Sequence, residues 1–115
     1  MKFSHFTNGK LKHVTKDISI ENEKNLKKYK FFLDNILNYI YITDRLIFIR
    51  ENDDYIFELN ISNKSCSTLF LKKENKEVDI KVLSSEYEVK EKYISFKYKL
   101  ETDDNEHHIV LETGE

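Results

Sequence analysis

The residues whose types most readily support chemistry are two adjacent histidines and one cysteine. His107 and His108 could ligate a metal, but neighbours on a β-strand point to opposite faces, so the pair cannot readily chelate one ion. Cys66, the single cysteine, becomes a nucleophile only beside a group that lowers its pKa, and the residues around it supply none. We expect no metal site, and we expect Cys66 to be a small buried or half-buried apolar residue.

A pair of carboxylates offers a second kind of chemistry. Glu86 and Glu88 would share one face of a strand, about 7 Å apart, and paired carboxylates can do acid–base work. Lys90 shares that face, which is more typical of a solvated charged surface. Two glycines are too few for a P-loop or a dinucleotide-binding loop, and His-Glu-x-x-His does not occur. The sequence therefore predicts no catalytic residues and no cofactor, and an enzyme is the least favoured function.

Arg50 has the strongest case for a functional role. The chain contains 17 lysines and only two arginines. Unlike lysine, arginine can hold a carboxylate or a phosphate through two parallel hydrogen bonds. Three roles stay open: Arg50 anchors a ligand, it forms a structural ion pair with Glu51, Glu58 or an acidic turn residue, or it is an exposed strand end.

The elements that position these residues are predicted to be short strands. Polar clusters recur every 8–12 residues, which is typical of the turns of a β-sandwich or barrel. Between the clusters, apolar and polar residues alternate with period two, as half-buried strands do. The predicted inward stripes are Tyr55, Phe57, Leu59, Ile61, Val78, Ile80, Val82, Ile94, Phe96, Tyr98, Leu100, Ile109 and Leu111. Residues 46–49 are apolar throughout and suit a strand covered on both sides.

Residues 21–41 admit two interpretations. Six apolar residues there fall at helical spacing, which favours an amphipathic helix. Four aromatic residues favour strands instead, over residues 28–33 and 38–43 with a turn at Asp34 and Asn35. We prefer two strands.

Composition limits the classes of partner and the compartment. With 115 residues, one domain over residues 1–115 is the simplest organisation. The net charge of −2 argues against a dedicated nucleic-acid binder, and codon bias plus a solvated face accounts for the lysines at 24, 27, 28 and 30. No apolar run is long enough to span a membrane. The lone cysteine fits the reducing cytoplasm.

From residue 45 to residue 112 the sequence resembles a family of small bacterial proteins with a calycin-like β-barrel (YwiB-type). The resemblance is carried by short strand segments and covers about two-thirds of the chain. These segments are residues 46–50, 55–59, 80–82, 94–100 and 108–111. Residues 28–33 would correspond to an early strand of the family.

The resemblance implies an all-β, mostly antiparallel, up-and-down barrel of eight to ten strands that is closed or nearly closed. We expect a non-enzymatic barrel that binds a small hydrophobic or amphipathic molecule. The candidate ligand-binding residues are Arg50, Phe57, Phe96 and Tyr98. The alternative is a protein–protein interaction or inhibitory module with a filled barrel. Interior volume separates the two, because a ligand carrier needs a pocket of about 300 Å³ or more.

Overall fold

The alternating segments form twelve β-strands in the computed structural model, which describes residues 1–24 and 26–114. Those residues contain no helix, and hence none that could cross a membrane. The strands are β1 (Lys2–Thr7), β2 (Lys10–Thr15), β3 (Ile18–Glu23), β4 (Leu26–Leu33), β5 (Ile36–Ile42), β6 (Leu46–Glu51), β7 (Tyr55–Ile61), β8 (Cys66–Leu71), β9 (Lys76–Ile80), β10 (Val82–Lys90), β11 (Tyr93–Leu100) and β12 (His107–Glu112).

The strands build two antiparallel sheets. The seven-stranded sheet runs from β3 to β9 in chain order. The five-stranded sheet has the order β10-β11-β12-β1-β2, so the first and last strands of the chain are hydrogen-bonded neighbours. The all-β, mostly antiparallel class predicted from the sequence is confirmed.

The barrel implied by the resemblance, closed or nearly closed and of eight to ten strands, does not form: the described residues build twelve strands, and the barrel is not closed. β2 and β3 belong to different sheets, and so do β9 and β10. The chain therefore crosses between the sheets at these two places instead of continuing one hydrogen-bonded ladder. The predicted strand over residues 77–82 is broken at Lys81 for the same reason, because the chain changes sheets there.

Apolar side chains from both sheets fill the space between them. The ring centroids of Phe3 and Phe31 lie 4.2 Å apart, and those of Phe48 and Phe96 lie 5.2 Å apart. Each of these pairs joins one sheet to the other. The buried apolar residues are Phe3, Tyr29, Phe31, Ile40, Leu46, Phe48, Phe57, Leu59, Ile61, Ile94, Phe96, Tyr98, Leu100, Ile109 and Leu111.

The period-two prediction for β11 is confirmed on its inner face. Ile94, Phe96, Tyr98 and Leu100 are buried. The intervening residues 95, 97 and 99 point outward but are half-buried, not fully exposed as their polarity suggests. β11 lies between β10 and β12, so neighbouring side chains shield its outer face. The inner stripe of β12 is also buried as predicted, and so is that of β7 except at Tyr55, which is half-buried.

The helix considered for residues 21–41 does not form in the described part of that segment; the preferred two-strand interpretation is confirmed. β4 and β5 pair through the turn at Asp34 and Asn35, whose φ angles are 51° and 66°. Asn and Asp adopt this left-handed conformation more readily than other non-glycine residues. Consecutive left-handed residues also give the two-residue turn that matches the twist of a hairpin.

Two sequence-based expectations about burial are wrong. In β6, Leu46 and Phe48 are buried, but Ile47 and Ile49 are only half-buried because they lie on the outer side of the seven-stranded sheet. Residues 46–49 are therefore covered on one side only. Cys66 is exposed because it opens β8 and pairs with Asn60, an outward-facing position of β7.

Candidate functional site

Arg50 takes an inward position at one end of the space between the sheets. It follows the buried Leu46 and Phe48 at the two-residue spacing of β6, so its side chain is on the inner face. In the ladder it lies between Asn38 of β5 and Phe57 of β7. The strand pattern therefore places a guanidinium where the interior would otherwise continue with an apolar side chain.

The Arg50 guanidinium has no protein partner among the described residues. Its Nε is buried and makes no hydrogen bond. No described carboxylate lies within ion-pair distance of it; the adjacent Glu51 is instead bridged by Lys72 at 2.8 Å. The structural ion pair considered from the sequence is therefore not present in this part of the chain. A buried donor without an acceptor is destabilising, which makes Arg50 the strongest functional candidate.

The five-stranded sheet contributes Tyr98 and His5 to the same end. Burial raises the pKa of Tyr98 to about 12, and the positive charge of Arg50 acts in the opposite direction. Arg50 also acts on His5, so the guanidinium, the phenol and the imidazole share one electrostatic environment. These three groups come from β6, β11 and β1, and only the fold brings them together.

A chain of hydrogen bonds orients His5. Asp103, in the connection between β11 and β12, has its Oδ2 2.5 Å from Nε2 of His107, and Nδ1 of His107 is 3.0 Å from Nε2 of His5. A carboxylate only accepts, so Nε2 of His107 donates to it. For a neutral His107 ring, His5 then donates from Nε2 and keeps an acceptor lone pair on Nδ1. The hydrogen bond from His107 lowers the pKa of Asp103.

His13 completes the cluster on β2. Its ring stacks on that of His5 with centroids 5.8 Å apart, and its Nδ1 lies 3.9 Å from Oδ2 of Asp34. The His107 ring stacks on Tyr98 at 5.0 Å. We call Arg50, Tyr98, His5, His13, His107 and Asp103 the polar end.

The His5 ring stays neutral at pH values well below those at which a histidine usually takes up a proton. Burial lowers its pKa from 6.5 to about 4, with further lowering by the charges of His107, Arg50 and His13. The imidazole of His5 therefore binds a proton more readily in the unfolded chain than in the folded protein. As far as His5 is concerned, the folded protein is most stable above pH 6.5, and its stability declines as the pH falls towards 4.

The chain has four histidines. NMR titration of their rings should give a midpoint for His5 near 4, identified by its loss in His5→Gln; a midpoint between 6 and 7 would contradict the geometry.

The predicted ligand-binding residues lie close together but play different parts. Arg50 and Tyr98 belong to the polar end. Phe57 is the ladder neighbour of Arg50 and is 9% exposed. Phe96 lies deeper, with its ring 5.2 Å from Phe48 and 6.2 Å from Tyr98, so it packs the core beneath the polar end.

His5, His13 and Asp103 were missed in the sequence. Asn8 and Gly9, both left-handed, form the turn between β1 and β2, and the resulting ladder pairs His5 with His13. An Asn-Gly hairpin signal flanked by strands could have revealed this proximity. Nothing local predicts that Asp103 reaches His107, because that contact depends on how the connecting loop folds back.

The other residues considered for chemistry lie away from the polar end. Glu86 and Glu88 are exposed on the outer face of β10, where Lys90 lies 3.0 Å from Glu88. His108 faces outward and its Nε2 is 2.8 Å from Oγ of Ser95. Among the described residues, no three His, Cys, Asp or Glu side chains are arranged to hold a metal ion.

The fold and the site define an all-β protein of two antiparallel sheets with a polar cluster at one end of its interior. Comparisons with family models, with curated proteins and with solved structures found no match for this chain. The resemblance to the calycin-like family therefore stays a prediction.

Proposed function

We propose that this protein binds a small molecule through a carboxylate or phosphate group that Arg50 holds at the polar end. The observation that carries the proposal is the inward guanidinium, whose Nε is buried with no hydrogen-bond partner. Leaving such a donor unpaired costs about 1–3 kcal/mol, and more for a charged group. An anionic ligand group has to displace the side chains that cover Nε to remove that penalty; its oxygens then accept the parallel hydrogen bonds that arginine offers.

The neighbouring side chains favour an anion over a cation. His5 and Tyr98 are both uncharged at neutral pH, since the pKa of the His5 imidazolium is about 4 and the pKa of the Tyr98 phenol is about 12. The carboxylate of Asp103 is hydrogen-bonded to His107, and its negative charge also acts on Tyr98. Asp103 is therefore already paired, whereas the Nε of Arg50 is the buried side-chain donor at this end that has no partner among the described residues.

The packed interior constrains where a ligand lies. Aromatic rings from both sheets meet in the centre, as the 5.2 Å contact of Phe48 with Phe96 illustrates. We propose that the ligand's charged group lies at the polar end, with Phe57 beside Arg50 and Phe96 beneath the site. An apolar portion of an amphipathic ligand would extend outward from this end.

The experiment is calorimetric titration with inorganic phosphate, acetate and octanoate. We expect at least one of these anions to bind the unaltered protein and Arg50→Met to weaken that binding at least about 10-fold, since a desolvated charged hydrogen bond is lost. Arg50→Lys should also weaken it, because lysine lacks the planar fork. The matched control is Arg45→Met, which removes the other arginine, an exposed residue bonded to Asp44.

Two results would contradict the proposal: none of the three anions binds at about 10 mM, or Arg50→Met binds as tightly as the unaltered protein. A stronger response to octanoate than to acetate would extend the proposal to amphipathic carboxylates. Equal responses would restrict it to the anionic group.

A protein–protein interaction module is the second candidate function. It is favoured by the filled interior, since a scaffold whose core is occupied by its own side chains acts through its surface. The two candidates use different parts of the molecule and are separable by experiment.

We also propose a cytoplasmic location. Cys66 is the only cysteine and is exposed. Such a thiol persists in a reducing compartment, whereas an oxidising one would promote its pairing with other thiols.

A further inference from the structure

The outer side of the seven-stranded sheet carries a contiguous apolar face. The residues between the buried positions of β4 to β8 point outward, and many of them are large and apolar. We call this surface the outer face; its apolar residues are Phe32, Leu37, Tyr39, Tyr41, Ile47, Ile49, Ile56 and Phe70. Phe32 is 61% exposed and the others are half-buried. Contiguous apolar patches of this kind on soluble proteins mark interaction surfaces.

The rows of the outer face are set by the ladder register. One row runs across four strands as Lys30, Tyr39, Ile49 and Glu58. It extends to Ser19 on the lysine side, and to Thr68 and then Asp79 of β9 on the glutamate side. The row therefore has a basic end, an apolar centre and an acidic end, with a hydroxyl residue beyond each charge.

When this row faces a second copy of itself running in the opposite direction, its basic end meets an acidic end and its apolar centre meets an apolar centre. A two-fold axis parallel to the strands between β5 and β6 would place Lys30 opposite Glu58 of a second copy, and Tyr39 opposite its Ile49. In one neighbouring row, Tyr41 would meet Ile47 of the second copy by the same symmetry, and in the other Leu37 would meet Glu51, which Lys72 bridges within its own copy. An isologous dimer requires a surface that is complementary to itself in this way.

The contacts that Glu58 and Lys30 make within one copy are compatible with this arrangement. Glu58 makes no ion pair or hydrogen bond with a described residue. Lys30 lies 3.5 Å from Glu21 in a partly exposed pair and 5.9 Å from the Tyr39 ring centroid. An exposed pair of this kind is weak, so Lys30 can still contribute to a contact with a second carboxylate.

The area of overlap is at the small end for a specific dimer. With the axis between β5 and β6, the six strands β3 to β8 lie opposite the second copy. At about 4.8 Å spacing they span about 29 Å, and strands of this length extend about 17–27 Å, which gives on the order of 500–800 Å². A standard specific interface buries about 800 Å² per partner.

We infer that the outer face is the interface of a two-fold symmetric homodimer in which Lys30 of each copy contacts Glu58 of the other. The inference deepens the interaction-module candidate by naming its partner, and it is independent of anion binding by Arg50. Two sheets packed in this way keep their strands within about 30° of each other.

Sedimentation equilibrium with charge-reversal variants tests the inference. We expect a dimer with a micromolar Kd, weakened about 10-fold or more in Lys30→Glu and in Glu58→Lys, because each change creates two like-charge contacts. The double variant Lys30→Glu/Glu58→Lys should restore the Kd to within about 3-fold, because the pairs are re-formed with reversed signs. The matched controls are Lys97→Glu and Glu86→Lys. Lys97 Nζ and Glu86 Oε1 lie 4.0 Å apart on the five-stranded sheet, so these reversals should leave the Kd unchanged.

A monomer at about 0.5 mM would overturn the inference, as would a dimer whose Kd is unaffected by the single reversals or is not restored by the double reversal. Circular dichroism of each variant confirms that the strands are retained. The Arg50→Met variant should dimerise normally, so the loss of dimerisation and the loss of anion binding are observed separately.

Discussion

Replacing Phe96 with alanine should lower the free energy of unfolding by about 3–5 kcal/mol, because the ring is deleted from a site that cannot collapse around the gap. Phe96 is 1% exposed, and its ring contacts Phe48 of the opposite sheet and Tyr98 of its own strand. The cavity would therefore open between the sheets. Urea denaturation of the two proteins measures the difference.

Phe32→Ala is the matched control for that substitution. It removes the same ring from the outer side of the seven-stranded sheet, where Phe32 is 61% exposed. At a protein concentration that keeps the chain monomeric, the loss should stay within about 0.5 kcal/mol. If Phe96→Ala cost less than 1 kcal/mol, the inward register of β11 would be wrong.

The second large effect is a gain in stability accompanied by a loss of binding. Arg50→Met should raise the free energy of unfolding by about 1–2 kcal/mol, because it removes a buried donor that has no acceptor and retains an apolar stem of similar length. The same substitution should weaken anion binding at least about 10-fold. Residues kept for function often lower stability in this way, whereas a structural ion pair gives the opposite sign.

Thermal and urea unfolding of Arg50→Met, in buffers free of phosphate and carboxylates, measures this gain. Arg45→Met is again the control, since Arg45 is exposed and bonded to Asp44, and its loss should change stability by less than about 1 kcal/mol. A destabilisation of 3 kcal/mol or more in Arg50→Met would mean that Arg50 holds the fold together.

The strands were predictable from the sequence because their pattern is local. In β11, apolar residues at 94, 96, 98 and 100 alternate with polar ones, and the buried face follows from that spacing alone. The turn at Asp34 and Asn35 was predictable for a similar reason, since these two residue types tolerate left-handed conformations.

The division of the strands into two sheets was harder to predict from the sequence. Residues 77–82 alternate as one strand, and nothing in their pattern signals that the chain leaves one sheet at Lys81 and enters the other. Strand number and closure depend on which edges pair, and that is set by long-range packing. Residues 46–49 show the same limit, since an apolar run does not reveal whether a second layer covers it.

The polar end was predicted in part. Arg50 stood out by composition, and Tyr98 by its place in an inward stripe. Their approach to His5 links β6, β11 and β1, which are far apart in the sequence, so it could not be inferred without the topology. The hydrogen bond of Asp103 to His107 depends on a loop conformation in the same way.

Binding of an anion by Arg50 is tested most directly by the ¹H–¹⁵N NMR signals of the arginine Nε–H groups. The chain has two arginines, so the spectrum contains two such signals, and Arg45 is an internal reference. On titration with phosphate or octanoate, we predict that the Arg50 signal shifts downfield in a saturable way and exchanges its proton more slowly, while the Arg45 signal stays in place. Equal movement of both signals, or no movement of the Arg50 signal at saturating anion, would contradict an anion site at the polar end.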